Sequence, residues 1–554
     1  MKRIIIFLTL ISLFSVMSPS SADAAARSAR VTIPKFPVTL NGTRIDSLYR
    51  EYPLITYKDI TYFPMTFYDS RYLGLETIWN NNEMGLFINK TGASGLYRDY
   101  RGVKKNTGYG TATVCPFPVK VNGADIDNAN EEYPLLLFRG VTYFPMTWRF
   151  CRDMFGWEYE FTEKDGLKIT SANPTVESLN INLPESMGIS LPESDDMTLF
   201  GFIVFDGQYY AFGADRAVYQ GSLTDPARRE VIYRIPDGSL GGLYVDENRP
   251  YLRYHVGGAI MGADVTIQLN SDGTTEQVSY GYHLYKDFGD MKVIADQRLV
   301  DHFAGNNLTV RRGDGEYQSV GDPDFFYGAI VEIKQGENGY TSAAHTSDLY
   351  RIGDDIYTLA CDMTKKEGSS GIYKVNLKTG ETTCLVESSV IRFVMKGDYI
   401  YYISGGVENQ IRRLCLSSGE LIPIAGPYKD SRVTDVAVLN NIVYFTMFTY
   451  WPHADGNGFH GFYRADNSAS LGFNTPINYK TQVAGMKILG DYLAVSFEGY
   501  SDIDDRFIVI DADGYIVFRT DDEVSIANVS VVDDRLYYVD SGSRRAGVVT
   551  LSAH

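Results

Sequence analysis

Tryptophan, histidine and cysteine are scarce in this chain, with 4 Trp, 7 His and 5 Cys among 554 residues. The histidines stand at 255, 283, 302, 345, 453, 460 and 554, and only His453 and His460 approach the spacing at which two side chains share a metal ion. No Gly-x-Ser-x-Gly elbow, His-Glu-x-x-His helix or Gly-rich phosphate loop occurs, so no catalytic residue, metal or cofactor is assigned. Beyond the first residues no apolar run reaches the roughly 20 residues that span a bilayer. Positive charge is also short: 51 Lys and Arg stand against 69 Asp and Glu, a net −18. Such a surface argues against nucleic acid, which is held by neutralising phosphates with Lys and Arg, and suits solubility or a cationic partner.

What is present begins with an address. Met1-Lys2-Arg3 precedes an apolar run over residues 4–16, then Ser and Pro, then Ala22-Asp23-Ala24. A basic start, a short apolar core and an A-x-A site predict a secretory signal peptide over residues 1–24, and about 13 apolar residues are too few for a membrane anchor. No Cys stands at the cleavage site to take a lipid. Removing Lys2, Arg3 and Asp23 leaves the mature chain at −19 and places it outside the cell or in the envelope. A hydrophobic content of 44% with 22% charged residues is that of a globular protein, and the length exceeds a single core, so two or three domains are expected. The 41 Tyr, 29 Phe and 52 Gly favour short strands and tight turns.

Thr61-Tyr62-Phe63-Pro64-Met65-Thr66 returns unchanged as Thr142-Tyr143-Phe144-Pro145-Met146-Thr147, an offset of 81. The same offset matches Phe36-Pro37-Val38 to Phe117-Pro118-Val119, Asn41-Gly42 to Asn122-Gly123 and Glu51-Tyr52-Pro53-Leu54 to Glu132-Tyr133-Pro134-Leu135. Two α+β units follow, at 31–92 and 112–171. In each, an Asn-Gly hairpin leads to a second hairpin closed by Pro64 or its copy, a short helix over 66–73 capped by Gly74, and a last strand pair. Cys115 and Cys151 stand where the first unit has Pro34 and Ser70. Paired presence predicts a disulfide, the alternative being two unrelated buried thiols. Cys361, Cys384 and Cys415 fall in strand-like runs and read as small buried apolar groups.

Asn41-Gly42, Tyr62 to Thr66, Leu73-Gly74-Leu75-Glu76-Thr77-Ile78-Trp79-Asn80 and Gly85-Leu86-Phe87-Ile88 resemble the copper amine oxidase N-terminal-like domain, a stalk module of Gram-positive surface proteins. The second unit matches through Asn122-Gly123, Tyr143 to Thr147 and Phe155-Gly156-Trp157-Glu158. Thr66 and Thr147 depart from the Arg usual in that pattern. The resemblance covers residues 31–171 and implies a spacer or binding module. It does not import the oxidase: no Asn-Tyr-Asp/Glu-Tyr tetrapeptide exists to become a quinone, and the histidines are scattered.

Residues 172–197 read as a linker. From 198 to 554 apolar strands meet Gly, Asp or Asn turns and are answered by Tyr-rich strands, the turns falling at Asp206-Gly207, Asp246-Glu247-Asn248, Gly289-Asp290, Gly353-Asp354, Gly397-Asp398, Asn440-Asn441, Gly490-Asp491 and Asp533-Asp534. Gaps of about 40 to 50 residues are the rhythm of four-stranded propeller blades. The gap of 64 between Asp290 and Asp354 calls for an insertion or a missed unit. The prediction is a mainly β chain ending in an eight-bladed β-propeller, seven blades being the alternative, with residues 175–185 completing a last blade that has only three strands of its own. Asp511-Ala512-Asp513-Gly514 reads as a hairpin turn because the Glu that completes a calcium loop is missing.

The most distinctive loop, 449–460, carries Trp451, His453, Asp455 and His460, a candidate ligand-binding set suited to stacking on a sugar ring or to binding a metal, or else a loop anchored by its Trp. Two functions remain open. One is a non-enzymatic surface protein whose propeller recognises an extracellular polysaccharide, peptide or envelope protein. The other is an extracellular propeller enzyme, a hydrolase or lyase acting on glycan or peptide. N-terminal sequencing of the exported protein is expected to begin near Ala25; a product beginning before Met17 contradicts the signal peptide.

Overall fold

The computed structural model describes residues 27–551 apart from 81–82, 92, 95–96, 98, 172–173, 175, 186–199, 247–248, 259–261, 298–306, 335–339, 347, 365–368, 406–408, 430, 451–457, 466–480 and 500–505. The chain is mainly β, and its two sequence repeats share all their sheets. A closed six-stranded barrel takes Ser28–Thr32, Ile55–Tyr57 and Ile60–Pro64 from the first repeat and Val141–Pro145, Leu136–Phe138 and Tyr109–Val114 from the second. The Asn-Gly hairpin of each repeat then joins the last strand pair of the other: Val38–Leu40 runs parallel to Gly166–Ser171, and Val119–Val121 parallel to Gly85–Lys90.

The repeated hexamer pairs with itself. Phe63 is the register partner of Phe144 on the adjacent barrel strand, the Met65 N–H donates to the Thr142 carbonyl at 2.8 Å, and the Met146 N–H to that of Thr61 at 2.8 Å. Arg30 faces Thr111 at the same offset of 81. These self-pairings define a pseudo-two-fold axis, so the front of the chain is one interlaced body rather than two modules in series. Its apolar core mixes both repeats, with Phe63 and Trp157 rings 5.0 Å apart.

The predicted helix forms at Phe67–Tyr72, where the Thr66 hydroxyl accepts the Asp69 N–H at 3.2 Å. Its copy, Arg149–Met154, is a π-helical turn with no side-chain cap. The predicted Cys115–Cys151 disulfide is not present, and both are free thiols. Each is buried in the shared core, with Cys115 Sγ directed to the Phe117 carbonyl at 3.7 Å, and both occupy it as small apolar groups. Of the remaining cysteines only Cys361 is buried; Cys384 is exposed because it lies on an outer strand.

Among the described residues, eight antiparallel sheets of three to five strands follow in chain order, at 201–234, 241–280, 283–319, 325–387, 390–425, 431–465, 481–520 and 524–550. This is a β-propeller. Its inner hairpins turn at the expected sites in left-handed conformation, as at Asp206 (φ 47°), Asn440 and Asn441 (φ 44° and 67°) and Asp533 and Asp534 (φ 49° and 56°). The long gap holds an insertion. Phe325–Tyr327 and Tyr350–Ile352 both pair with Asp355–Asp362 as one interrupted inner strand, and between them projects the hairpin Ala329–Lys334 and Tyr340–Thr346.

The last sheet borrows its outer strand. Glu177–Leu179 pairs with Arg545–Thr550, and Leu179, Ile181 and Leu183 pack beside Val548 and Phe202. First and last sheets meet: the Phe202 N–H donates to Asn528 Oδ1 at 2.9 Å and the Val204 N–H to Ser530 Oγ at 3.0 Å. Propeller and front body are joined by a buried ion pair, Arg519 Nη2 to Glu76 Oε2 at 3.3 Å, with side chains 0% and 5% exposed. Glu76 corresponds to Glu158 of the other repeat, displaced by one residue through the π-helical turn, and Glu158 pairs with Arg152 at the surface, so the symmetry is broken where the propeller attaches.

Gly166 has φ +72°, and a β-carbon there would lie 2.0 Å from the Pro37 carbonyl oxygen that accepts the Leu167 N–H at 2.9 Å. Gly166→Ala is expected to destabilise by about 1–3 kcal/mol, read from the denaturant midpoint. Gly42→Ala, at φ +85° with nothing within 4 Å, costs about 1 kcal/mol.

Candidate functional site

The inner strand of each sheet alternates with period two. Leu349, Phe393, Val436 and Val529 are buried in the apolar layers between sheets. The residues between them carry the polar groups, and from the second sheet to the sixth these run in alternating charge: Asp246, Lys286, Asp348, Arg392, Asp435. Lys286 is the centre of this band. Its Nζ donates to Asp246 Oδ1 at 2.6 Å and Asp348 Oδ2 at 3.0 Å, tying together three successive sheets with its side chain 8% exposed. Burial alone would lower its pKa, but the two carboxylates outweigh that and hold it above the usual lysine value.

Arg392 Nε lies 3.0 Å from Asp435 Oδ1, which also accepts the Val436 N–H at 2.8 Å. Burial nevertheless lifts the Asp435 carboxyl above the ordinary carboxylate range. Tyr350 stands within the electrostatic reach of Asp348, Arg392, Lys286 and Asp435, and burial pushes its phenol up to about 12. On the seventh sheet Lys487 is half-buried, its pKa lowered by desolvation, and it makes no hydrogen bond or ion pair among the described residues.

A second cluster lies where the second sheet meets the third. Ser279 Oγ is 2.8 Å from His283 Nδ1, and His283 Nε2 is 3.8 Å from Asp296 Oδ2. The constellation has the members of a hydrolytic triad, but the His–Asp contact is longer than a hydrogen bond and Ser279, at 7% exposure, is buried on its strand. Nearby, Asp264 accepts from Arg253 Nη2 at 2.5 Å and is 2.9 Å from His255 Nδ1, an arrangement that satisfies the carboxylate internally.

Of the residues singled out in the 449–460 loop, Trp451, His453 and Asp455 lie outside the described residues. His460 is on the strand Gly458–Ala465, with Nε2 2.7 Å from Thr434 Oγ1, which is itself 2.7 Å from Thr446 Oγ1. It is tied into its sheet through Thr434 of the first strand, which in turn bonds Thr446 of the middle strand. Sequence reasoning missed the inner-strand band, although a signal existed. Asp348, Arg392 and Asp435 each stand five residues before their inner turn, and Lys286 and Lys487 three before theirs. Among the described residues no group of three or more His, Cys, Asp or Glu is placed to hold a metal ion, and no helix is long and apolar enough to cross a membrane.

Fold and site together define a β-propeller with a charged inner rim, carried behind a pseudo-symmetric β body. No protein-family model matches the chain, and no curated protein matches it. Solved structures similar to part of it include BamB from Moraxella catarrhalis, 12% identical, covering 68% of this chain and 98% of that one with a TM-score of 0.31. They include also an oligogalacturonate lyase in complex with manganese (11%, 67% and 99%, TM-score 0.36) and a prolyl endopeptidase (11%, 63% and 55%, TM-score 0.40).

Burial of His460 lowers its pKa from the ordinary 6.5, the Val483 backbone offsetting part of the effect. Below pH 6.5 the unfolded chain takes a proton that the folded one resists, so stability falls as pH drops through the window between the two pKa values. His460→Gln is expected to flatten that part of the stability profile, measured by denaturant titration at successive pH values.

Proposed function

We propose that this chain is an exported, surface-displayed binding protein, its eight sheets forming the eight blades of one ring. Its front body is a pair of copper amine oxidase N-terminal-like repeats that presents the ring, and the inner rim recognises an envelope polysaccharide, peptide or protein. The carrying observation is the position of Lys286 between Asp246 and Asp348. Two neighbouring carboxylates act as acid and base when one keeps a proton. A lysine bonded to both bridges them at 2.6 and 3.0 Å, which leaves a rigid polar surface suited to hydrogen bonding. Lys487, unpaired among the described residues, adds a cation that an anionic group on the ligand would neutralise.

The second reading, an extracellular hydrolase or lyase acting on glycan or peptide, is favoured by the Ser279–His283 contact. A screen of the exported protein against envelope polysaccharides and peptides separates the two. Saturable binding that weakens about tenfold in Lys487→Ala, with unchanged melting temperature, is expected for a binding protein. Turnover of any of these compounds that disappears in His283→Ala establishes the enzyme instead.

A further inference from the structure

The front body holds a cavity of about 730 Å³ between its first repeat and residues 105–108, apart from the propeller rim. Its floor includes Ile33, Phe36 and Ile45, and its walls carry Lys35, Arg44 and Lys105. All three cations are exposed, and none has an ion-pair partner among the described residues. The single acid in the wall, Asp46, accepts the Leu48 N–H at 3.0 Å. In a chain of net charge −18, three unpaired cations around one concavity are a local reversal of sign.

The pseudo-two-fold axis supplies an internal comparison. At the offset of 81, Phe36, Pro37, Ile45 and Asp46 recur as Phe117, Pro118, Ile126 and Asp127, whereas Lys35 becomes Pro116 and Arg44 becomes Asp125. The same backbone positions are therefore basic in one copy and not in the other, so strand pairing does not require the charge. The cavity wall is also preformed. The Asn106 N–H donates to the Leu48 carbonyl at 2.7 Å, and its Nδ2 to the carbonyls of Ser47 and Arg50 at 2.8 Å each. The Ile33 N–H donates to the Gly108 carbonyl at 3.1 Å, fixing the segment that carries Lys105 against the one that carries Lys35.

We infer that this cavity binds an acidic polysaccharide, its cations taking the carboxylate or phosphodiester groups and its apolar floor the faces of the sugar or polyol units. The site is independent of the propeller rim and gives the front body a binding role of its own.

The test uses the exported full-length protein and calorimetric titration with oligogalacturonate, a poly(glycerol phosphate) oligomer, neutral dextran and single-stranded DNA of matched length. Binding of one or both acidic glycans is expected, weakening as salt rises, with none to dextran. The relative affinity of the first two tells whether carboxylate or phosphodiester is the natural group. Lys35→Glu with Arg44→Glu is expected to weaken binding about tenfold or more. Lys164→Glu with Lys378→Glu, which changes net charge equally at exposed sites elsewhere, is expected to leave it within about twofold. Equal loss in both double variants, tighter binding to DNA than to either glycan, or binding of neither glycan overturns the inference. All four substituted residues are exposed, so unchanged melting temperatures separate loss of the site from loss of fold.

Discussion

Strand edges must be paired, because an open row of N–H and C=O groups is both unsatisfied and a template for aggregation. This constraint organises the whole chain. In the front body each repeat gives its Asn-Gly hairpin to the last strand pair of the other, and the two hexamers close the barrel by pairing across the pseudo-two-fold axis. In the propeller the last sheet has only three strands of its own, and Glu177–Leu179 comes from the opposite end of the domain to cover Arg545–Thr550. Both closures join segments distant in sequence, so each ties the ends of its body together.

Departures from the internal symmetry mark where the front body does something beyond pairing. Glu76 meets Arg519 of the propeller in a buried ion pair, while its counterpart Glu158 meets Arg152 of its own repeat at the surface. A buried ion pair is a poor source of stability but a demanding one in geometry, and here it orients one body against the other. Lys35 and Arg44 are a second departure, at a concave surface. The same scaffold thus carries a joint on one face and a cation-lined cavity on another.

At the propeller rim, charge alternates from Asp246 to Asp435 over five successive inner strands, and complementary side chains fix the second, third and fourth sheets to one another and the fifth to the sixth. The sequence places these residues in apolar runs, where isolated charges are easily passed over. Only the ring brings them side by side. The same applies to Ser279, His283 and Asp296, which lie on two different sheets and fit no linear motif.

Much of the fold was legible in advance because it rests on local chemistry. Asn-Gly and Asp-Asp turns demand left-handed backbone, period-two alternation demands a half-buried strand, and a hexamer repeated at 81 residues demands a duplicated unit. These features located the inner hairpins, the propeller and even the strand near residue 178 that completes the last sheet. What local chemistry could not show is which partner each strand takes. A hairpin that pairs within its own repeat and one that pairs within the other have the same sequence, and the choice follows from which closed barrel leaves no open edge. Cys115 and Cys151 illustrate the same limit: their joint appearance in one repeat suggested a bond, but a buried thiol and half a disulfide look alike until the directions of the two side chains are known. The charged rim and the basic cavity were likewise decided by tertiary structure, since both are made of residues whose neighbours in space lie tens of positions away along the chain.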